Sequence, residues 1–400
     1  MSINRRQLFL NHVAQTTELA LGLEVSHAKG MYIYDTNGKA YLDLNSGISV
    51  SSLGHLHPKV VAAVNDQLQK YMHTMVYGEH IQSPQVEYAQ YLSTLLNNGL
   101  DNVYFVMTGS EAVEGAVKLA KKHTSRYEVI SCANAYHGST ATPESLRSDY
   151  TFSRAFCPSI PGVRHIRFNQ EEDLAKITTK TAAVILEPVQ AEAGVLVPEE
   201  SYLKKVRKKC DETGALMILD EIQTGFGRTG FLFAHKKYDV VPDILLISKS
   251  MGGGMPIGAF VGSKQIMKSL IKDPALGHIT TFGGHPVCVK AAFAMLKHIN
   301  ESELIESVNE KEELIKSLLQ HEIISEIRSS GLMMAVELTR KKYLKHVVQN
   351  AFDQGALIDF FLFNRNSFRL APPLIISKEE IKKACKILLQ ACDYALKQYQ

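Results

Sequence analysis

Lys249 sits in the setting that calls most directly for chemistry. It follows the apolar run Ile244 to Ser248 and precedes Ser250-Met251-Gly252-Gly253-Gly254-Met255-Pro256. A lysine at the mouth of a buried strand, beside glycines that let a ligand approach the backbone, suits Schiff-base chemistry; a solvated surface lysine is the plain alternative. A second apolar run, Leu216 to Asp220, ends on the carboxylates of Asp220 and Glu221, with Gln223 close behind. A third, Val103 to Met107, leads into Thr108-Gly109-Ser110 and a helical pattern that begins Glu111-Ala112-Val113-Glu114. Glycine and a hydroxyl at a helix N-terminus form a cup for phosphate from unpaired N–H groups and the helix dipole, although Ser110 as an ordinary N-cap fits the same pattern. Gly225-Phe226-Gly227-Arg228-Thr229-Gly230 matches the spacing of a dinucleotide fingerprint. That fingerprint has to open a helix, and Phe231-Leu232-Phe233-Ala234-His235 offers no clear start, so a glycine-rich turn is the better reading.

These residues need elements to hold them. Short apolar runs at 103–107, 128–131, 182–187, 216–220, 244–248 and 257–261 alternate with helical or loop segments, the pattern of an α/β fold with a mainly parallel mixed sheet. In such sheets ligands bind beyond the carboxyl ends of the strands, where the candidate residues fall. Ahead of this region, Met31 to Asp35 and Lys39 to Leu44 read as a hairpin across Thr36-Asn37-Gly38, and Pro58 opens a helix. Behind it, a helical stretch from His285 to about Gln320 gives way to strands near 333–338 and 367–370 and to a last helix opened by the capping box Ser377-Lys378-Glu379-Glu380. The expected organisation is a large α/β domain over residues 61–310, with a smaller α+β domain built from residues 1–60 and 311–400.

A phosphate cup, a carboxylate at one strand end and a lysine at another are what pyridoxal phosphate requires. The cofactor needs an amine for its aldehyde, an acid beside its ring nitrogen and an anchor for its phosphate. The chain resembles the class III aminotransferases of the fold type I pyridoxal-phosphate enzymes, the group that holds acetylornithine, ornithine and 4-aminobutyrate aminotransferases. The resemblance spans about Gly30 to Ile376. It is carried by Ser46-Gly47 with Leu53-Gly54-His55-Leu56-His57-Pro58, by Thr108-Gly109-Ser110-Glu111-Ala112, Tyr136-His137-Gly138 and Glu187-Pro188-Val189-Gln190, by Leu219 to Gly230, by Ser248 to Gly258 and by Thr280-Thr281-Phe282-Gly283-Gly284.

The resemblance implies a role for each matching residue. Lys249 would bind the cofactor and later move the proton; Asp220 would pair with the pyridinium nitrogen; Gln223 would bond the phenolic oxygen; Gly109 and Ser110 would hold the phosphate. Tyr136 would stack on the ring, His137 would complete the cofactor pocket, and Thr281 would reach the phosphate of a neighbouring subunit in a homodimer. Arg369 would grip a substrate carboxylate, and Glu192 would mask it while an ω-amino substrate is bound. The implied reaction carries an amino group from an amino acid or ω-amine to a 2-oxo acid by ping-pong half-reactions. An aminomutase of the glutamate-semialdehyde type or a decarboxylase uses the same machinery, and a dinucleotide-binding oxidoreductase is the rival outside it.

Departures from the family pattern bear on the substrate. Ser139 stands where ornithine and acetylornithine enzymes have an arginine that helps to grip a second carboxylate. Either Arg147, Arg154 or Arg164 takes over, or the acceptor is a monocarboxylate such as pyruvate. His285 replaces a usual asparagine and Ser250 a common alanine, while Glu18 lies roughly where ornithine enzymes have a substrate-contacting tyrosine.

Composition sets the outer bounds. Forty-four basic against 41 acidic side chains leave a net charge of +3, too little to argue for nucleic acid or an anionic membrane, and no apolar run is long enough to span a bilayer. Arg5 and Arg6 precede only Leu8 to Leu10, too short for a secretory segment, so a cytoplasmic enzyme is expected. Six cysteines without a CxxC pair argue against a zinc site or a disulfide framework, and no metal is expected.

Overall fold

The computed structural model describes residues 4–18, 21–96 and 99–399. Its centre is a seven-stranded sheet ordered Asn102–Val106, Gly258–Gly262, Ile244–Ile247, Leu216–Asp220, Thr181–Leu186, Glu128–Cys132, Val163–Ile166. Gly258–Gly262 runs antiparallel to both of its neighbours, and the other ladders are parallel. Six strands therefore point the same way. Continuous apolar runs follow from burial on both faces: Ala183, Ile185 and Ile218 pack with helix Gly109–Thr124 on one side, while Val184, Leu186, Met217 and Leu219 join the main core on the other. Val163–Ile166 is the edge strand that sequence patterning misses, because Arg164 and His165 interrupt its apolar character.

The start of helix Gly109–Thr124 is fixed by Thr108, whose hydroxyl accepts from Glu111 N at 3.2 Å. Thr108 rather than Ser110 is thus the N-cap. Gly109 and Ser110 become the first helical positions, whose N–H groups have no partner within the helix. At the opposite end of the chain the predicted capping box forms: Ser377 and Glu380 bond reciprocally at the head of helix Lys378–Lys397, a device worth about 1 kcal/mol.

Two smaller sheets flank the large one. Val25–Lys29, Tyr32–Asp35 and Ala40–Asp43 form a meander that Ala356–Leu357 joins in parallel, so that the two ends of the chain share a sheet. The other is antiparallel, ordered Ile324–Ser330, Met333–Leu338, Ser367–Leu370, Asp359–Phe360. The single helix expected from His285 to Gln320 is two, Pro286–Glu301 and Val308–Leu318, broken where Ser302 caps the first in extended conformation.

Fully buried Arg228 ties these parts together. Its guanidinium donates to Leu332 O, Pro372 O and Ser52 Oγ, and Ser52 Oγ lies 2.6 Å from Ser250 Oγ, next to Lys249. Its hexapeptide runs through turns, with Gly227 at φ 89° and Gly230 at φ 81°, and the next helix, Ala234–Lys237, is a single turn beyond Phe233. The strand–turn–helix that a dinucleotide fingerprint needs is not formed here. Among the described residues no helix is long and apolar enough to cross a membrane.

Candidate active site

The carboxyl ends of five of the six strands that point the same way deliver their next residues to one cavity of about 150 Å³, lined by Gly109, Ser110, Tyr136, His137, Glu187, Asp220, Gln223 and Lys249 among others. Lys249 follows strand Ile244–Ile247 with φ 44°, a left-handed conformation. Neighbouring Ser248 is held by its hydroxyl donating to Ile257 O at 2.7 Å. Burial lowers the Lys249 amine to about 8, against the pull of the Glu192, Asp220 and Glu187 carboxylates and with the help of the Arg369 charge. An amine so placed is partly uncharged near neutral pH, the state in which it is nucleophilic.

Across the cavity, buried Asp220 accepts Ile222 N at 3.0 Å on one oxygen, while its other oxygen lies 2.6 Å from His137 Nδ1. Burial by itself would depress the His137 imidazole, but the bond to Asp220 and the charges of Asp220 and Glu187 raise it overall. His137 Nε2 is buried without a partner. Glu187, the residue after strand Thr181–Leu186, binds Tyr136 N at 3.2 Å and Ala191 N at 2.9 Å. Burial, helped by the charge of Asp220, pushes its carboxyl up to about 7 against the opposing effect of His137 and the two backbone bonds. Sequence reading gave Glu187 no role of its own, although its place just after a buried strand was the available signal.

The mouth of helix Gly109–Thr124 closes on small residues. A Cβ at Gly109 would lie 2.8 Å from Ile222, and one at Gly138, where φ is 132°, 2.2 Å from Ser110 Oγ. Glycine at both points keeps the helix N-terminus open as an anion cradle. Tyr136 and Ile222 both border the cavity, a flat aromatic and a branched aliphatic side chain suited to hold a planar ring. Ile222 was not picked out from the sequence.

Arg369 stands on strand Ser367–Leu370 of the antiparallel sheet, buried, with Nη2 2.6 Å from Glu192 Oε1. Gln223 Nε2 donates to the same oxygen at 3.3 Å, and Leu362 N donates to Glu192 Oε2 at 3.2 Å. Arg369 Nε and Nη1 remain buried without partners. A guanidinium with free donors, masked by one carboxylate, is equipped to exchange that partner for another carboxylate.

Thr281 does not line this cavity. It is exposed, beside Ile279 and Phe282, which are also exposed. Of the three arginines considered for a second carboxylate, Arg164 pairs with Glu128 at the sheet edge and Arg154 is exposed, whereas Arg147 is packed on Tyr136, with its guanidinium 5.4 Å from the ring centre. Glu18 is exposed.

A lysine softened by burial, an acid–imidazole pair facing the same space, an open helix N-terminus and a masked arginine suit an aldehyde cofactor that carries a phosphate and a substrate that carries a carboxylate. The chain belongs to the class III aminotransferases: the family description "Aminotransferase class-III" matches residues 13–392. Its cofactor is accordingly pyridoxal 5'-phosphate. The chain is 40% identical over 365 residues to the acetylornithine aminotransferase of Methanocaldococcus jannaschii, covering 88% of this chain and 89% of that one. It is 37% identical to the putrescine aminotransferase of Pectobacterium atrosepticum, over 88% and 79% of the two chains. Among solved structures, the ornithine aminotransferase of Toxoplasma gondii, described with partial occupancy of PLP at its active site, superposes with a TM-score of 0.91 at 30% identity, covering 98% of this chain and 94% of that one. The fold is therefore that of the fold type I enzymes, and the aminomutase, decarboxylase and oxidoreductase readings are not favoured.

Proposed function

We propose that this aminotransferase takes the ω-amino group of an ornithine derivative or a diamine and passes it to a 2-oxo acid. The observation that carries this reading is the masked arginine: Glu192 neutralises Arg369 at 2.6 Å beside the Lys249 cavity. With the pair closed, a substrate can present an amine without offering a carboxylate there; with Glu192 displaced, Arg369 can receive the carboxylate of a 2-oxo acid. The names of the relatives, acting on acetylornithine, putrescine and ornithine, support the donor class.

When bound, pyridoxal phosphate supplies an aldehyde for the amine and a ring that takes up electrons from the substrate carbon. Lys249 would hold the cofactor's aldehyde through its amine, and burial keeps that amine near neutral poise, where it can take up and return a proton. Asp220, oriented by His137 at 2.6 Å, would face the ring nitrogen and keep it protonated. Gly109 and Ser110 would anchor the phosphate at the helix N-terminus, Tyr136 would cover the ring, and Gln223 would bond its phenolic oxygen.

The reading extends to a homodimer in which Thr281 serves the neighbouring site. Exposed Ile279 and Phe282 on the same segment, and the apolar groove beside it lined by Tyr104, Phe105 and Leu276, support an interface there. It also extends to a division at about residues 60 and 310, supported by the sheet that joins Ala40–Asp43 to Ala356–Leu357, and to a cytoplasmic enzyme, supported by six unpaired cysteines.

The test is a donor panel. N-acetylornithine, ornithine and putrescine are mixed singly with the yellow holoenzyme, and at least one should bleach its visible band, which a 2-oxo acid then restores. No bleaching by any of the three would overturn the proposed donor class.

A further inference from the structure

Position 139 is a serine, and its short side chain, bonded through Oγ to Tyr136 OH at 3.0 Å, leaves open space beyond it. That space is a cavity of about 570 Å³ bordered by Ser139, Thr140, Glu144, Arg147 and Phe152. Tyr136 lines the cofactor cavity, so the hydroxyl contact between Tyr136 and Ser139 sits on the boundary between the two. We propose, building on the aminotransferase reading, that Arg147 is the specificity residue that receives the second carboxylate of a dicarboxylic 2-oxo acid in this cavity.

The Arg147 side chain is only 8% exposed. Its guanidinium lies 5.4 Å from the Tyr136 ring centre, 5.5 Å from Phe152 and 5.9 Å from Phe363. These rings fix the plane of the cation without using its donors. One ion pair, Nη2 to Glu144 Oε2 at 3.2 Å, balances the charge, while Arg147 Nε and Glu144 Oε1 are both buried without a partner. A buried guanidinium with an idle donor is costly to keep unless something takes that donor. A carboxylate does so with two parallel bonds, which a lysine or a serine cannot match.

Arg147 repeats the arrangement around Arg369. Each arginine is nearly buried, pairs with one glutamate through Nη2 and holds an unpartnered Nε. The segment Phe361-Leu362-Phe363 touches both: the Arg369 guanidinium lies 4.7 Å from the Phe361 ring, and Phe363 faces Arg147. Leu362 N and Phe363 N meanwhile hold Glu192. The Cα atoms of these two ring-bearing residues are at most ~7 Å apart, so one short segment lies against both cations. A molecule with two carboxylates can engage both; a monocarboxylate such as pyruvate engages one.

The experiment uses the holoenzyme, with R147Q and R147K beside the wild type. Calorimetry follows the binding of two unreactive acids, glutarate with two carboxylates and propionate with one. Steady-state rates give the ratio of kcat/KM for 2-oxoglutarate to that for pyruvate. The wild type should bind glutarate at least about tenfold more tightly than propionate, and R147Q should lose about tenfold or more of the glutarate affinity and of the 2-oxoglutarate to pyruvate ratio. R147K, which keeps the charge but not the fork, should fall between. Unchanged glutarate affinity in R147Q, or equal losses for both acids, overturns the proposal, because a merely structural arginine would affect them alike. Glutarate binding that falls in R147Q while none of the three amines bleaches the cofactor would leave Arg147 standing and reject the proposed donor class instead.

Discussion

At the scale of single residues, the site works by desolvation countered by pairing. Burial brings the Lys249 amine to about 8, so at pH 7 about one amine in ten is uncharged, against fewer than about one in a thousand for an ordinary lysine. The rate at which the apoenzyme captures pyridoxal phosphate, followed by absorbance, should therefore climb about tenfold per pH unit below 8 and level off above it. A climb that continues toward pH 10 would contradict the assigned environment. The same shift has a stability consequence of definite sign. Between about 8 and the ordinary lysine value the unfolded chain binds more protons, so this group favours the folded apoprotein increasingly as pH rises through that window. Glu187, raised to about 7, acts the other way: its contribution is complete below the ordinary glutamate range and is lost as pH rises through 7. Replacing His137 by phenylalanine leaves Asp220 buried without its closest partner. The loss of a charged hydrogen bond worth about 1.5–3 kcal/mol should lower kcat about 10- to 100-fold with cofactor still bound. Wild-type kcat in that variant would remove the orienting role. Lys249, Asp220 and Gly109-Ser110 were legible from sequence because each follows an apolar strand. Ile222 and Glu144 were not, since only folding brings the one, two residues past a strand, to the edge of the Lys249 cavity and the other, on a short helix, to the edge of the cavity beside Ser139.

At the scale of elements, the strands buried on both faces were the plainest to read in the sequence. Thr181–Leu186 and Leu216–Asp220 read as unbroken apolar runs because both faces are covered. Ile324–Ser330 escaped because Ser325, Glu326 and Arg328 are polar and the strand lies at a sheet edge. The break between Pro286–Glu301 and Val308–Leu318 carries no proline or glycine, so periodicity ran across it. Arg228 depends on tertiary context in the same way: a glycine-rich hexapeptide suggests a ligand loop, yet its arginine is spent on Leu332 O, Pro372 O and Ser52 Oγ. Arg228→Met should destabilise the protein by about 2–4 kcal/mol, because carbonyls and a hydroxyl deep in the core lose their donor. Urea unfolding of the apoprotein measures this, and a change under about 0.5 kcal/mol would show that the interior accommodates the loss.

At the scale of the whole molecule, the proposed site draws on two sheets and, in the proposed dimer, on two chains. Arg369 arrives from the antiparallel sheet and Lys249 from the large one, so in the proposed mechanism the relative setting of the two sheets would govern substrate grip. The double variant I279D/F282D puts charge on the exposed segment around Thr281. In sedimentation velocity it should shift the protein from dimer to monomer and reduce activity together with cofactor affinity; a variant that stays dimeric would move the interface elsewhere. The most direct measurement concerns the bond on which every role depends. Holoenzyme reduced with borohydride, digested and mapped by mass spectrometry should carry the reduced cofactor on the peptide containing Lys249 and on no other, and the K249A protein should carry none. A cofactor adduct on a different lysine, or none in a wild-type sample that retains its yellow band, would contradict the account.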